Sequence, residues 1–402
     1  MIKIGVIREG KIPPDARVAL TPEQCAAINQ RGDVEIIVEH SDVRCFRDEE
    51  YTKLGVQVVE DVSDCDLLLG VKEVPIDELR PNKTYSFFSH THKKQAYNRP
   101  LLQAVIDKKV TLVDYEVLTD DSGKRLIAFG YFAGMVGAHN GIVTYGKRTG
   151  RYDLKRLKDC FDYAEAKELY KSLTLPSMRI VLTGTGRVGH GAAHVLRDMG
   201  IREVSPEDYL IKDYQEPIFT TLSCNHYARK KDGTPFDKEE FYEHPERYEN
   251  AFQPYSKKTD LMINGIYWDD KAPVFFTVEE MAQDDFAIQV IADVTCDIAP
   301  VSSIPSTLRA STIADPFFGF DPKTGKETAP FLEGVIDMMT IDNLPSELPR
   351  DASTAFGEQF IKSILPEWIK GKENSAVIER ATIATEGHLG PHFQYLEDFL
   401  KG

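Results

Sequence analysis

A glycine-rich turn supplies the first recognisable chemistry. Arg179-Ile-Val-Leu-Thr183 reads as a buried strand, Gly184-Thr-Gly186-Arg187-Val188-Gly189 follows it, and a helix-like run continues through Leu196. The three glycines have the G-x-G-x-x-G spacing, between strand and helix, that binding a dinucleotide pyrophosphate requires. Gly184 allows the tight turn, Gly186 lets the backbone approach the pyrophosphate, and Gly189 lets the helix pack close to the sheet. The helix N-terminus then faces the anion. Arg187 and Val188 lie inside the turn and join the candidate cofactor-binding set. Further on, Glu207 and Asp208 follow Ser205-Pro206 and read as loop residues. The next strand reads as Ile218–Leu222 and ends in Ser223-Cys224-Asn225-His226, with no acid to hold a ribose 2′-hydroxyl. Arg229-Lys230-Lys231 could meet a 2′-phosphate or form a solvated loop, so NAD and NADP both stay open.

A second constellation lies in the N-terminal third. Lys72-Glu73 follows the apolar run Leu67–Val71, His90 follows Tyr85–Ser89, and Glu116 follows Leu112–Tyr115. Each places an ionisable group at the C-terminal end of a strand, the edge where open α/β sheets bind ligands. Arg17 precedes a helix start and Arg125 precedes Leu126-Ile-Ala-Phe-Gly130. Any one of these residues could be a surface charge or a turn residue. Several on one sheet edge favour a site.

The elements that would position these groups alternate. Ile2–Ile7 reads as a first buried strand, and Thr21-Pro22-Glu23-Gln24 as a capped helix start ending near Gly32. Val34–Val38, Val56–Val59, Asp66–Val71, Tyr85–Ser89 and Val110–Asp114 read as strands, with a helical stretch over Lys93–Lys108. This β-α-β rhythm predicts a largely parallel sheet. Phe129–Gly150 is long enough for one helix linking two domains, and Asp153–Leu173 is charged and helix-forming. A second β-α-β series runs from Arg179 to about Asp342. The polar stretch Asn225–Pro254 reads as an irregular surface insertion. The tail from Leu344 to Gly402 reads as helical and amphipathic. The fold class expected is α/β: two Rossmann-like domains with mainly parallel sheets around a central cleft.

Composition narrows the class. With 402 residues, 42% hydrophobic and 28% charged, the chain has ordinary globular make-up and room for two or three domains. Its net charge of −16 disfavours nucleic acid and anionic membrane as partners. The 6 cysteines form no C-x-x-C pair and no zinc spacing, so they read as free thiols in a reducing compartment, and no metal is expected. The start, MIKIGVIREGK, lacks the apolar region of a signal peptide. No window offers the roughly 18 apolar residues of a membrane span. A cytoplasmic enzyme is the expectation.

Longer stretches carry a family resemblance. Ala-Arg-Val-Ala-Leu-Thr-Pro (16–22), Gly-Val-Lys-Glu (70–73), Phe-Phe-Ser-His-Thr (87–91) and Asp-Tyr-Glu (114–116) resemble the lysine-forming saccharopine dehydrogenases. They also resemble the lysine–2-oxoglutarate reductase half of the bifunctional lysine-degrading enzyme. Ala-Phe-Gly (128–130), His-Pro-Glu-Arg-Tyr (244–248), Ile-Asn-Gly-Ile-Tyr-Trp (263–268) and Ile-Asp-Asn-Leu-Pro-Ser-Glu-Leu-Pro (341–349) agree. The Arg-Val-Ala-Leu-Thr-Pro segment is shared with alanine dehydrogenase.

The resemblance implies a substrate domain over 1–131 plus 345–402 and an inserted Rossmann dinucleotide-binding domain over 132–344. It implies NAD(P)-dependent oxidative cleavage of saccharopine to L-lysine and 2-oxoglutarate, in either direction. Carried over, Lys72 and His90 match the acid–base pair, and Glu73 and Glu116 the carboxylates beside them. Arg17 and Arg125, with Lys93, are the expected holders of substrate carboxylates, and Asp293 matches an aspartate near the nicotinamide. Two features depart from the pattern. Ser223-Cys224-Asn225 replaces the acid found after the second cofactor strand in lysine-forming enzymes, and Cys224 stands near where the reductase half carries an arginine. The acid after Lys72 follows the lysine-forming type, whereas the 225–254 insertion follows the reductase half. The expected partners are saccharopine, lysine and 2-oxoglutarate, and the expected state is a monomer or small homo-oligomer. The alternatives are an alanine-dehydrogenase-type enzyme and a non-catalytic dinucleotide-binding regulator.

Overall fold

A computed structural model describes residues 1–402. The chain divides into two compact units, Met1–Phe129 with Pro349–Gly402, and Gly130–Leu348.

In the first unit, β1 (Ile2–Val6), β2 (Val34–Glu39), β3 (Gln57–Val59), β4 (Leu67–Leu69), β5 (Thr84–Phe87) and β6 (Thr111–Asp114) pair in parallel, in the order β6-β5-β4-β1-β2-β3. Their side chains are mostly buried, except on the edge strand β3, as expected when helices cover both faces of a parallel sheet. The chain runs outward from β1 to β2 and β3, then returns to β1's other side with β4. That reversal makes the gap between β1 and β4 the topological switch point. The Pro22–Arg31 helix starts as its sequence predicts. Thr21 accepts from Gln24 N–H, the Gln24 side chain accepts from Thr21 N–H, and Gly32 ends the helix at φ 77°.

The second unit contains β7 (Arg179–Thr183), β8 (Arg202–Glu203), β9 (Ile218–Leu222), β10 (Ala228–Lys230), β11 (Tyr248–Asn250), β12 (Leu261–Asn264), β13 (Val290–Asp293), β14 (Phe317–Asp321), β15 (Lys326–Thr328) and β16 (Ile336–Met339). Eight of these form one sheet ordered β15-β14-β16-β13-β12-β7-β9-β8, parallel except where β14 meets β16 and β15. Alternate residues feed two cores, one on each face. Ile180, Leu182, Ile263 and Ala292 face one, and Val181, Met262 and Ile291 face the other. The Gly130–Thr149 helix crosses the Arg187–Asp198 helix at backbone distance: a Cβ on Gly134 would lie 1.9 Å from the Val188 carbonyl oxygen. No helix is long and apolar enough to cross a membrane.

Four local expectations need correction. The helix expected over Lys93–Lys108 begins only at Arg99, because His90 and Lys94 take left-handed backbone and Pro100 suits only a first turn. The helix expected over Asp153–Leu173 shrinks to Tyr163–Tyr170, since the Asp162 side chain caps the Glu165 N–H. Glu207 and Asp208 are not in a loop. Ser205 caps a short Pro206–Ile211 helix, and they fill its first turn. The tail is not wholly helical either. After the Pro349–Ser363 helix it adds β17 (Thr382–Thr385), antiparallel to β6, and β18 (His388–Leu389), antiparallel to β17, so the first sheet has eight strands.

Candidate active site and dinucleotide pocket

The first unit gathers its ionisable groups at the C-terminal edge of β1, β4, β5 and β6. Glu9, just past β1, accepts N–H bonds from Val71 at 2.6 Å and Lys72 at 2.8 Å. It thereby ties the loop after β4 to the end of β1 across the switch point. Burial pushes the Glu9 carboxyl up to about 8, against those two N–H bonds. The sequence pattern did not single out Glu9, although it too is an acid a few residues past a strand.

The Lys72 amine makes no hydrogen bond or ion pair with protein groups. Burial lowers its pKa, and the Arg17 and Lys11 charges lower it further, while Glu73 and Asp15 oppose them. Glu73 accepts from Lys11 Nζ at 2.8 Å. Burial would raise the Glu73 carboxyl, but the Lys11 bond and the neighbouring cations leave it below its usual range. Arg17 is 2% exposed and grips Asp15 with two donors, at 3.0 and 2.6 Å. Breaking a buried pair of this kind costs about 3–5 kcal/mol. Arg17 is therefore a structural brace as well as a local cation.

The second cluster centres on Glu116. His90 Nδ1 lies 2.9 Å from one Glu116 oxygen, and Lys93 Nζ lies 2.8 Å from the other, with Arg125 at 3.7 Å. Burial opposes the charge on Glu116, but the His90 and Lys93 hydrogen bonds outweigh it and hold the carboxyl well below the usual range. His90 sits in left-handed backbone at φ 56°, held by its N–H on the buried Asp114 carboxylate at 3.2 Å. A non-glycine residue there stores about 1–3 kcal/mol of strain. His92, also passed over, lies 3.8 Å from Glu116, and burial lowers its pKa. An aromatic floor supports both arginines. Arg17 lies 4.3 Å over Phe129, and Arg125 lies 5.5 Å over Phe88, whose ring stacks beside His90.

The second unit holds the glycine turn. Gly184, directly after β7, has φ 98°, and a Cβ there would lie 2.5 Å from the Gly265 carbonyl oxygen. A Cβ on Gly189 would lie 2.0 Å from the Gly184 carbonyl oxygen, whereas one on Gly186 would meet nothing within 4 Å. Gly184 and Gly189 are therefore needed by the fold, and Gly186 borders open space. Arg187 and Val188 start the following helix, with Val188 packed against Gly134 and Gly265. The turn borders a cavity of about 530 Å³ that Ser223, beyond β9, and Gly265, beyond β12, also line. That size and the atom-free face of Gly186 fit a dinucleotide's phosphates and adenosine. β9 lies beside β7, so Ser223 occupies the position after the second cofactor strand, as the sequence suggests.

Two readings change here. The 225–254 insertion is not irregular. It contains the antiparallel pair β10–β11 and a Lys238–Glu243 helix over a small core of Phe241 and Tyr248, and it supplies part of the cavity wall. Arg229 pairs with Glu249 at 2.7 Å, Lys230 with Glu240, and Lys231 Nζ donates to the Glu246 carbonyl oxygen at 2.8 Å. None of the three lines the cavity. Asp293 ends β13 fully buried, accepting from Asn264 at 2.9 Å and Thr307 at 2.6 Å. Burial pushes it up to about 6 against these bonds. Its carboxylate braces the Asn264 end of β12.

Residues 5–136 match the alanine dehydrogenase/PNT N-terminal domain family. Among solved structures, an L-alanine dehydrogenase matches with a TM-score of 0.66 at 16% identity, covering 99% of this chain and 100% of its own. Fold and glycine turn thus define the class: a two-unit α/β protein with the alanine dehydrogenase fold. The lysine-forming, NAD(+) saccharopine dehydrogenase of Emericella nidulans is 31% identical, covering 94% of this chain and 95% of its own length. The chain belongs to the saccharopine dehydrogenase family of oxidoreductases. The alpha-aminoadipic semialdehyde synthase of Arabidopsis thaliana is 30% identical over 99% of this chain, and the rat mitochondrial protein of that name is 29% identical over 95%. The chain spans 41% and 46% of these two relatives.

Proposed function

We propose that the chain catalyses the reversible NAD(P)-dependent cleavage of saccharopine to L-lysine and 2-oxoglutarate. The observation that carries this reading is the convergence of Lys72, His90 and Glu116 just beyond the C-terminal ends of three adjacent parallel strands, β4, β5 and β6. Lys72 is a covered amine without an ion-pair partner, the state a lysine needs to act as a base. It takes the proton from the secondary amine of saccharopine. A dinucleotide held by the Gly184–Gly189 turn would supply the hydride acceptor for the adjacent carbon. His90 then moves the water proton as the substrate imine is hydrolysed, with Glu116 orienting its ring and balancing its charge. Glu73 restrains the fall in the Lys72 pKa. Arg17, Arg125 and Lys93 concentrate positive charge for a substrate with three carboxylates, and Arg125 and Lys93 share Glu116 until one arrives. Gly184, Gly186, Arg187, Val188 and Gly189 receive the dinucleotide, and Asp293 acts by positioning Asn264. The free thiols suit a reducing compartment, and we place the chain in the cytoplasm.

The test is a spectrophotometric screen of NADH and NADPH oxidation with 2-oxoglutarate plus each amino acid. Lysine is the donor expected to respond. Turnover with pyruvate and ammonia, and none with lysine, would assign the alanine-dehydrogenase reaction instead.

The sign of the pH dependence follows from Lys72. A base works deprotonated, so kcat/KM for saccharopine oxidation rises with pH, along a limb below the usual lysine value of 10.5. Lys11 contributes to that lowering directly, and it also holds Glu73 ionised. Lys11→Met removes the cation and therefore moves the limb to higher pH. A limb that stays in place in the variant would remove Lys72 from the role of base.

A further inference from the structure

We propose that the chain selects NADP over NAD, with Lys238 as the cation that receives the 2′-phosphate. The proposal rests on the dinucleotide reading of the glycine turn and names a residue outside the glycine motif. The cavity beside Gly186 is lined by a single charged side chain, Lys238, and by no carboxylate. Lys238 has no ion-pair or hydrogen-bond partner, and its Nζ lies 6.0 Å from the Tyr242 ring centroid. It therefore differs from Arg229, Lys230 and Lys231, which protein groups already engage. In a chain of net charge −16, a cavity whose one charged wall residue is a free cation favours an anionic ligand group.

The place of the cavity says which anion. Its floor is the glycine turn, where the pyrophosphate lies. Its side is Ser223, at the end of β9, where a carboxylate would hold a ribose 2′-hydroxyl and repel a 2′-phosphate. With Ser223 and Asn225 there, that repulsion is absent and hydroxyl and amide groups are at hand. Gly265, Ile266 and Tyr267 line part of the rest, and the insertion supplies another wall. Phe236, Phe241 and Tyr248 pack with ring centroids 5.0–5.6 Å apart, which anchors the short helix that begins at Lys238. Tyr227 and Tyr242 add aromatic surface on which a purine can lie. The insertion thus presents a cation and aromatic faces to the side of the cavity where the adenosine ribose belongs.

The test is calorimetric titration of the whole chain with adenosine 2′,5′-bisphosphate and with 5′-AMP, beside NADPH and NADH fluorescence titrations. The bisphosphate should bind at least about tenfold more tightly than 5′-AMP, the scale of one charge-assisted contact. Lys238→Ala should erase that advantage and leave 5′-AMP affinity within about twofold, and Lys238→Arg should keep it. Lys238 is exposed, so both variants should fold, and circular dichroism checks that. Equal affinity for the two nucleotides, or a Lys238→Ala loss shared equally between them, overturns the proposal while leaving the dinucleotide site standing. Failure of both nucleotides and both coenzymes to bind overturns the dinucleotide reading and the proposal with it.

Discussion

Lys72→Met is expected to lower kcat for saccharopine oxidation by about a hundredfold or more, with little change in KM. Methionine keeps the length and apolar stem of lysine but cannot take a proton. The Lys72 amine has no protein partner whose loss would disturb the fold, and the loop is held through backbone N–H bonds to Glu9, which the variant retains. The effect should therefore appear in the proton-transfer step. Substrate carboxylates are assigned to Arg17, Arg125 and Lys93, so binding should survive. Small primary amines should restore part of the rate to Lys72→Ala, because they fit the volume that truncation vacates and accept the proton. If Lys72 is only a strand-end charge, the variant keeps near-normal kinetics, and a kcat within about threefold of wild type would end the proposed mechanism.

Gly186→Val is expected to abolish dinucleotide binding in a chain that still folds. A Cβ at Gly186 meets no protein atom within 4 Å, so the fold has no quarrel with a side chain there. The space it would enter is the cavity that the turn borders, where the pyrophosphate must approach the backbone. Gly189→Ala is the contrasting control. Its Cβ would fall 2.0 Å from the Gly184 carbonyl oxygen, so it should destabilise the second unit itself. Enhanced NADH or NADPH fluorescence with folded Gly186→Val would remove the phosphates from this turn.

Local signals carried far in the sequence, and non-local ones did not. The Thr21 capping box, the apolar runs of the first sheet's parallel strands, and the turn after β7 are written in neighbouring residues, and each forms close to where it reads. Glu9 was harder to find. Its carboxylate matters because β1 lies beside β4, a pairing that no short window contains. Placement just after a strand was the available signal, the same one that singled out Lys72. Glu207 and Asp208 illustrate an overlooked cap: Ser205-Pro206 reads as a loop but serves as an N-cap and first helical residue. β17 and β18 are short, with Gly387 between them and Gly390 after, and their place comes from β17 pairing with β6 across most of the chain while β18 pairs with β17. The insertion looked irregular because its order comes from aromatic packing between Phe236, Phe241 and Tyr248 rather than from periodicity.

The central claim is that this chain joins or separates an amino acid and a 2-oxo acid through a secondary amine. It is tested most directly by following the hydride into product. The chain is incubated with lysine, 2-oxoglutarate and NADPH or NADH carrying deuterium at C4 of the nicotinamide, and the products are weighed by mass spectrometry. The account predicts saccharopine bearing one deuterium on the carbon beside the new secondary amine, formed only when both substrates are present and lost in Lys72→Met. Coenzyme oxidation that yields no lysine adduct, or deuterium found in alanine from pyruvate and ammonia, would contradict it.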